Sequence, residues 1–344
     1  MSDKIKLFQT ERSWQQIREQ VLSLVDEQHA NGWAQNGQLT RDLESRLARH
    51  FNRKHCVTTA NCTDALQLAI ISLDLPSSDI AVSNYTFIAS AHAISRAGHQ
   101  VVPVDVDDNY CINKNLIGNE AAVIAVDVFG NMSDINGLTI PVIIDAAQSL
   151  ESHNGKEYSA SRGTVSCISF APSKTVSSWG SGGALLTDDD NIADIARRLR
   201  LHGKSKNSDD SIHPGLNSMM SSFESACVWA GLDHSEEWQA RRKKIAEYLI
   251  AESRHLTAID TSLAKHTYQK LVFQSEQRDD VIKKFTDARI DCTITYSRLV
   301  NDESLYHQFD YMRNSDKFKN ISFTVPNQHT LTDAEVERIA EKLK

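Results

Sequence analysis

The sequence predicts an α/β fold, a mostly parallel sheet flanked by helices, followed by a smaller C-terminal α+β domain. Three observations carry this. Short β-branched runs recur between residues 55 and 187: HCVTTAN, DIAVSN, QVVPVDVD, AVIAVDVF, PVIIDAA, TVSCISF and GGALLT. Helix-like segments separate the first of them. Such alternation is the pattern of parallel strands joined by crossover helices. After residue 187 the organisation changes, which sets the domain division at 1–234 and 235–344.

Taken in order, TDALQLAIISL places Leu66, Ala69, Ile70 and Leu73 on one helical face, and FIASAHAISRAG repeats the arrangement after the second strand. NIADIARRLRLHG is amphipathic. Residues 203–216 are rich in Ser, Gly and Asn, the composition of a surface loop and a candidate lid. A long helical stretch is expected over roughly 221–254. The remainder reads as strand (TYQKLVFQ), helix (RDDVIKKFTDARI), strand (DCTITYS), strand (ISFTV) and a final helix. That helix opens on a capping box, Thr332 with Glu335.

With 344 residues, 40% hydrophobic, the chain can bury a core of two domains. Its 37 basic and 45 acidic residues give a net charge of −8 without a basic run, so nucleic acid is not an expected partner. No stretch approaches membrane-spanning length, and MSDKIKLFQTERSWQQ is polar where a signal peptide is apolar; the expected location is the cytoplasm. The six cysteines form no C-x-x-C pair and have no histidine cluster beside them, which argues against a disulfide framework and a zinc site. No metal is expected. Asn61-Cys62-Thr63 matches a glycosylation acceptor, which is without meaning in the cytoplasm.

Four strand ends carry candidate chemistry. In ANCTDAL, Asn61, Cys62 and Thr63 lie between a strand and a helix, where free N–H groups and the helix dipole favour an anion; Thr63 could equally be a simple helix cap. PVIIDAAQS ends an apolar strand on Asp145, a carboxylate that needs a cationic or hydrogen-bonding partner unless it caps the next helix. Lys174 follows a strand and precedes Gly180, Gly182 and Gly183. A partly desolvated lysine there has a lowered pKa and can form a Schiff base. Phe87 in NYTFIAS is either core or the face on which a flat ring stacks. Together they describe a site for pyridoxal phosphate: an anion site, an aromatic face, an acid for the ring nitrogen and a lysine for the aldehyde.

The chain resembles the DegT/DnrJ/StrS family of pyridoxal-phosphate sugar aminotransferases, related in fold to the aspartate aminotransferases (fold type I). The resemblance runs through GWAQNGQLTRDLESRLARHF, NCTDALQLAI, NYTFIASAHAISRAGHQVVPVDVD, IIDAAQS, CISFAPSK, GSGGALLTDD, GLNSMMSSFESA and VPNQHTLTDAEVERIAEKL. It implies that Lys174 is the Schiff-base lysine and proton shuttle, and that Asp145 keeps the pyridine nitrogen protonated. Gln148 would lie near the 3′-oxygen of the ring and Phe87 would stack on it. Cys62, Thr63 and Ser169 would bind the phosphate, and Asn217 would reach the phosphate of a neighbouring subunit, making the active unit a homodimer. Tyr296 would sit close to the acceptor. The implied reaction moves an amino group from an amino acid, by family analogy L-glutamate, to a keto sugar, usually nucleotide-linked, in a ping-pong cycle.

The sequence departs from the family pattern at several positions. Cys62 replaces the usual glycine of the phosphate turn, Ser218 and Met219 replace an aromatic and an arginine, Ser181 replaces an acid and Ala171 a histidine. These changes bear on the identity of donor and acceptor more than on the coenzyme. Two alternatives within the resemblance are a sugar dehydratase-like enzyme, which carries histidine where Lys174 stands, and a non-catalytic regulatory relative. A nicotinamide oxidoreductase lacks its G-x-G-x-x-G.

Overall fold

The computed structural model describes residues 4–205, 208, 210–307 and 312–344. Two helices, α1 (Thr10–Ala30) and α2 (Gln38–His50), precede the first strand. The sheet region then runs β1 (His55–Thr59), α3 (Cys62–Ser72), β2 (Asp79–Ser83), α4 (Ala89–Arg96), β3 (Gln100–Val104), β4 (Ala122–Val126), β5 (Val142–Asp145), β6 (Val165–Ser169), β7 (Gly183–Thr187) and α5 (Asp190–Leu199). Every apolar run named from the sequence between 55 and 187 is a strand. Their order in the sheet is β1-β7-β6-β5-β4-β2-β3. The pairs β2–β3, β2–β4, β4–β5 and β5–β6 are parallel, whereas β7 runs antiparallel to both its neighbours. The carboxyl ends of all strands but β7 therefore meet along one edge.

Alternation along the strands loads both faces. Ile80, Val82, Ile124 and Ile143 point into one core with Leu66, Ala69 and Ile94 from α3 and α4. Ala81, Val123, Val142 and Ile144 point into the other with Leu43, Leu47 and Phe51, at and just after α2. Helix α3 is buried nearly all round, which explains its uniformly apolar sequence.

The expected helix over 221–254 is two helices, α6 (Ser222–Asp233) and α7 (Ser235–Glu252). The break falls at His234, whose N–H bonds to Gly231 O at 3.2 Å, a tightened last turn that ends the ladder. There follow β8 (Thr257–Ala258), β9 (Leu271–Gln274), α8 (Arg278–Asp287), α9 (Arg313–Ile321), β10 (Ser322–Val325) and α10 (Asp333–Leu343). These strands form a separate antiparallel sheet in the order β10-β9-β8. The strand expected at DCTITYS is absent: only Thr293 bridges to Thr324, so the segment runs along β10 without a ladder. The capping box is present, with Thr332 Oγ1 accepting from Glu335 N and Glu335 reaching back to Thr332 N. Ile245, Leu249, Phe273, Phe323 and Ile339 build this unit's core, and Ile5 from the chain start joins it.

Of the candidate lid at 203–216, residues 206, 207 and 209 lie outside the described residues. The rest is hydrogen-bonded back on itself, with Ile212 N to Gly203 O at 3.0 Å and Leu216 N to Leu199 O at 2.7 Å. Among the described residues, no helix is long and apolar enough to cross a membrane.

Candidate active site

Where the strand ends meet, a cavity of about 440 Å³ opens, and its walls include Cys62, Thr63, Phe87, Asp145, Gln148, Ser169, Lys174, Ser181, Lys270 and Tyr296. All the site residues expected from the sequence line it except Asn217. That residue is exposed, bridges to Leu201 and is not part of this wall.

One end of the cavity is built by β1 and α3. Asn61 has extended backbone angles, and its side-chain oxygen accepts from Asp64 N at 2.8 Å. Asn61 is thus the cap, and Thr63 stands inside the first turn rather than capping it. Cys62 and Thr63 are the first helical residues, whose N–H groups have no partner within the helix. Directly behind this turn runs β7, in such close approach that a Cβ on Gly183 would lie 2.5 Å from both Asn61 C and Cys62 N. Ser218, one of the departures from the family pattern, is buried and donates to Asp64 Oδ2 at 2.7 Å, fastening the first turn from outside.

At the floor, Asp145 ends β5. No helix follows, so it caps nothing. Its Oδ2 accepts from Ser90 Oγ at 2.8 Å and its Oδ1 from Ala147 N at 3.1 Å. Burial pushes its pKa up, and these hydrogen bonds with the charge of Lys174 pull it back. Lys174 lies in the loop joining β6 to β7. That loop is folded on itself by Lys174 N to Ala171 O at 2.9 Å, Ser178 N to Phe170 O at 2.8 Å and Phe170 N to Gly182 O at 2.9 Å. Desolvation lowers the pKa of Lys174, while Asp145 and then Cys62 oppose that shift. Burial thus favours the neutral form of each group, and each supports the charge of the other.

Phe87 is 62% exposed although it is aromatic and lines the cavity, so it is not a core residue. Gln148 Oε1 accepts from Phe129 N at 3.0 Å and its amide donates to the Tyr296 hydroxyl, which turns one face of each toward the cavity. Burial raises the pKa of Tyr296, keeping the phenol protonated. Glu224, at the start of α6, accepts from Ser181 N at 3.0 Å, bringing a carboxylate beside the position where Ser181 departs from the family's acid.

Sequence reasoning missed Ser90, Lys270 and Phe8, which also line this cavity. Ser90 lies on α4, one helical turn beyond Phe87, a spacing that could have drawn attention to it. Lys270 enters at the foot of β9, and neighbouring Gln269 ties it to the Lys174 loop through Nε2 to Ser173 O at 3.0 Å.

A flat cationic ring with an aldehyde and a phosphate fits these residues. Phe87 offers an open face, Asp145 an acceptor at the floor, α3 its free N–H groups and Lys174 an amine. The fold and the site together define an aminotransferase of the pyridoxal-phosphate, fold type I class. The chain belongs to the DegT/DnrJ/EryC1/StrS aminotransferase family, whose model matches residues 15–344. It is 34% identical over 220 residues to the UDP-2-acetamido-2-deoxy-3-oxo-D-glucuronate aminotransferase of Pseudomonas aeruginosa, a match covering 60% of this chain and 61% of the relative. To the dTDP-3-amino-3,4,6-trideoxy-alpha-D-glucose transaminase of Streptomyces venezuelae it is 29% identical, covering 74% of this chain and 71% of the relative. In fold it matches the S. venezuelae DesV structure with a TM-score of 0.94 at 21% identity, covering 99% of this chain and 98% of that one.

Proposed function

We propose that this chain transfers an amino group from an amino acid, L-glutamate, to a keto sugar linked to a nucleotide, with pyridoxal phosphate carried on Lys174. The observation that carries the reading is the pairing across one cavity of a desolvated lysine with a buried, hydrogen-bonded aspartate. Both relatives are named for sugars with an oxo or amino group at carbon 3, which makes a 3-keto sugar the first acceptor to try.

When bound, the coenzyme supplies an aldehyde and a protonated ring that withdraws electrons from the substrate carbon. The chain's residues do the rest. Lys174, whose pKa burial lowers, would hold the aldehyde of the coenzyme through its amine, and its Nζ is the atom placed to hold and move the proton of the substrate carbon. Asp145, whose carboxylate accepts from Ser90 and Ala147 N and lies beside Lys174, would be the group that keeps the ring nitrogen charged. Cys62 N, Thr63 and Ser169 would hold the phosphate, Phe87 would cover the ring, and Gln148 would face the 3′-oxygen. Tyr296, buried in the cavity wall and bonded to Gln148, would contact the acceptor.

The active unit we infer is a homodimer in which Asn217 reaches the partner's phosphate. Its exposure, and its absence from the cavity wall of its own chain, support this. So does the exposed apolar set Leu22, Trp33, Trp179 and Phe223. We place the protein in the cytoplasm, in keeping with six free cysteines, five of them buried. We set the boundary of the small unit at residue 235, where α7 begins.

The test is the visible absorption spectrum of the protein with pyridoxal phosphate, before and after L-glutamate. The yellow of the lysine-bound coenzyme should bleach on adding glutamate, and Lys174→Ala should never show it. A coenzyme colour that glutamate leaves unchanged would remove glutamate as donor, and absence of colour would remove the reading.

A further inference from the structure

We infer that Lys270 is the anion anchor on the substrate side of this cavity, binding a carboxylate carried by one of the two substrates. This rests on the transamination reading above. Lys270 lines the cavity. Its Nζ lies 5.8 Å from the centre of the Tyr296 ring, near enough for a cation–π contact, and Tyr296 in turn is bonded to Gln148. Among the described residues no carboxylate faces it, and the charged group that acts on it most is another cation, Lys174.

The charges of the cavity locate what is missing. It holds two amines, Lys174 and Lys270, against one carboxylate, Asp145. Asp145, steadied by Ser90 and Ala147 N, has acceptor capacity left for the ring nitrogen, and its charge acts on Lys174. A phosphate is provided for at the α3 N-terminus by Cys62 and Thr63. Every charge of the coenzyme therefore has a partner without Lys270. A cation in so desolvated a place is costly unless an anion joins it. The ligand that enters last, the substrate, is the one left to supply it. Desolvation and Lys174 bring the Lys270 pKa down to about 8, so its charge is present at neutral pH and lost just above.

A carboxylate could arrive on the amino donor or on the sugar, and two measurements on the coenzyme-loaded protein separate these. One is a spectral titration with L-glutamate. The other is calorimetric binding of UDP-glucuronate against UDP-glucose, which differ at a carboxylate and need no turnover. Lys270→Met, which keeps the stem over Tyr296, should weaken glutamate, or abolish the preference for UDP-glucuronate, by about tenfold or more. Lys270→Arg should restore it. In the wild type the same affinity should fall as pH rises through about 8 and should not do so in Lys270→Met. Equal affinities for wild type and Lys270→Met in both arms would overturn the inference. Failure of the transamination reading is seen separately, as wild-type protein that shows no coenzyme colour.

Discussion

Asp145 and Lys174 show how single residues acquire chemistry from their surroundings. Burial raises the pKa of the first and lowers that of the second, and hydrogen bonds from Ser90 and Ala147 N oppose the rise at Asp145. Gly183 works by absence: a methyl group there would meet the backbone at Asn61 and Cys62 at 2.5 Å. Gly183→Ala should therefore weaken pyridoxal phosphate binding by about tenfold or more, because the turn's N–H groups must shift; titration of the coenzyme absorbance measures it. Residues that a buried environment makes improbable, Lys174 after a strand and Asp145 at the end of one, were legible in the sequence for that reason. Lys270 was not. In TYQKLVFQ a lysine reads as the outward face of a half-exposed strand, and only the tertiary arrangement turns it toward the cavity.

At the scale of elements, strand periodicity made the seven-stranded sheet readable, since runs buried on both faces have no other explanation. What it could not reveal was pairing. DCTITYS has the same alternation as a strand but finds only one bridge, Thr293 to Thr324, and so remains irregular. The helix break at His234 was hidden because both flanking segments are helix-forming. The end of β4 depends on a buried network: Asp127 accepts from Arg162 Nη2 at 2.5 Å, Ser159 Oγ at 2.6 Å and Ser133 N at 2.7 Å. Asp127→Ala would leave the Arg162 charge buried and unpaired. Urea unfolding should then show a loss of about 3–5 kcal/mol, far more than the Phe87→Ala change at an exposed position, which should stay within about 0.5 kcal/mol.

For the whole molecule, the question is whether one chain's residues serve another's site. Trp14 packs against Trp179 and Phe223, with ring centres 5.4 and 6.2 Å apart, so α1, the Lys174 loop and α6 share one aromatic surface. If a second copy covers that surface and presents Asn217, Lys174→Ala and Asn217→Ala proteins, each impaired alone, should regain activity when unfolded and refolded together. Each mixed dimer then has one site with both residues intact. No recovery would mean that Asn217 serves its own chain. The central claim, that Lys174 and not the neighbouring Lys270 carries the coenzyme, is tested most directly by borohydride reduction of the loaded protein, followed by digestion and mass spectrometry. The account predicts the pyridoxyl group on the peptide containing Lys174; finding it on the peptide containing Lys270 would contradict the account.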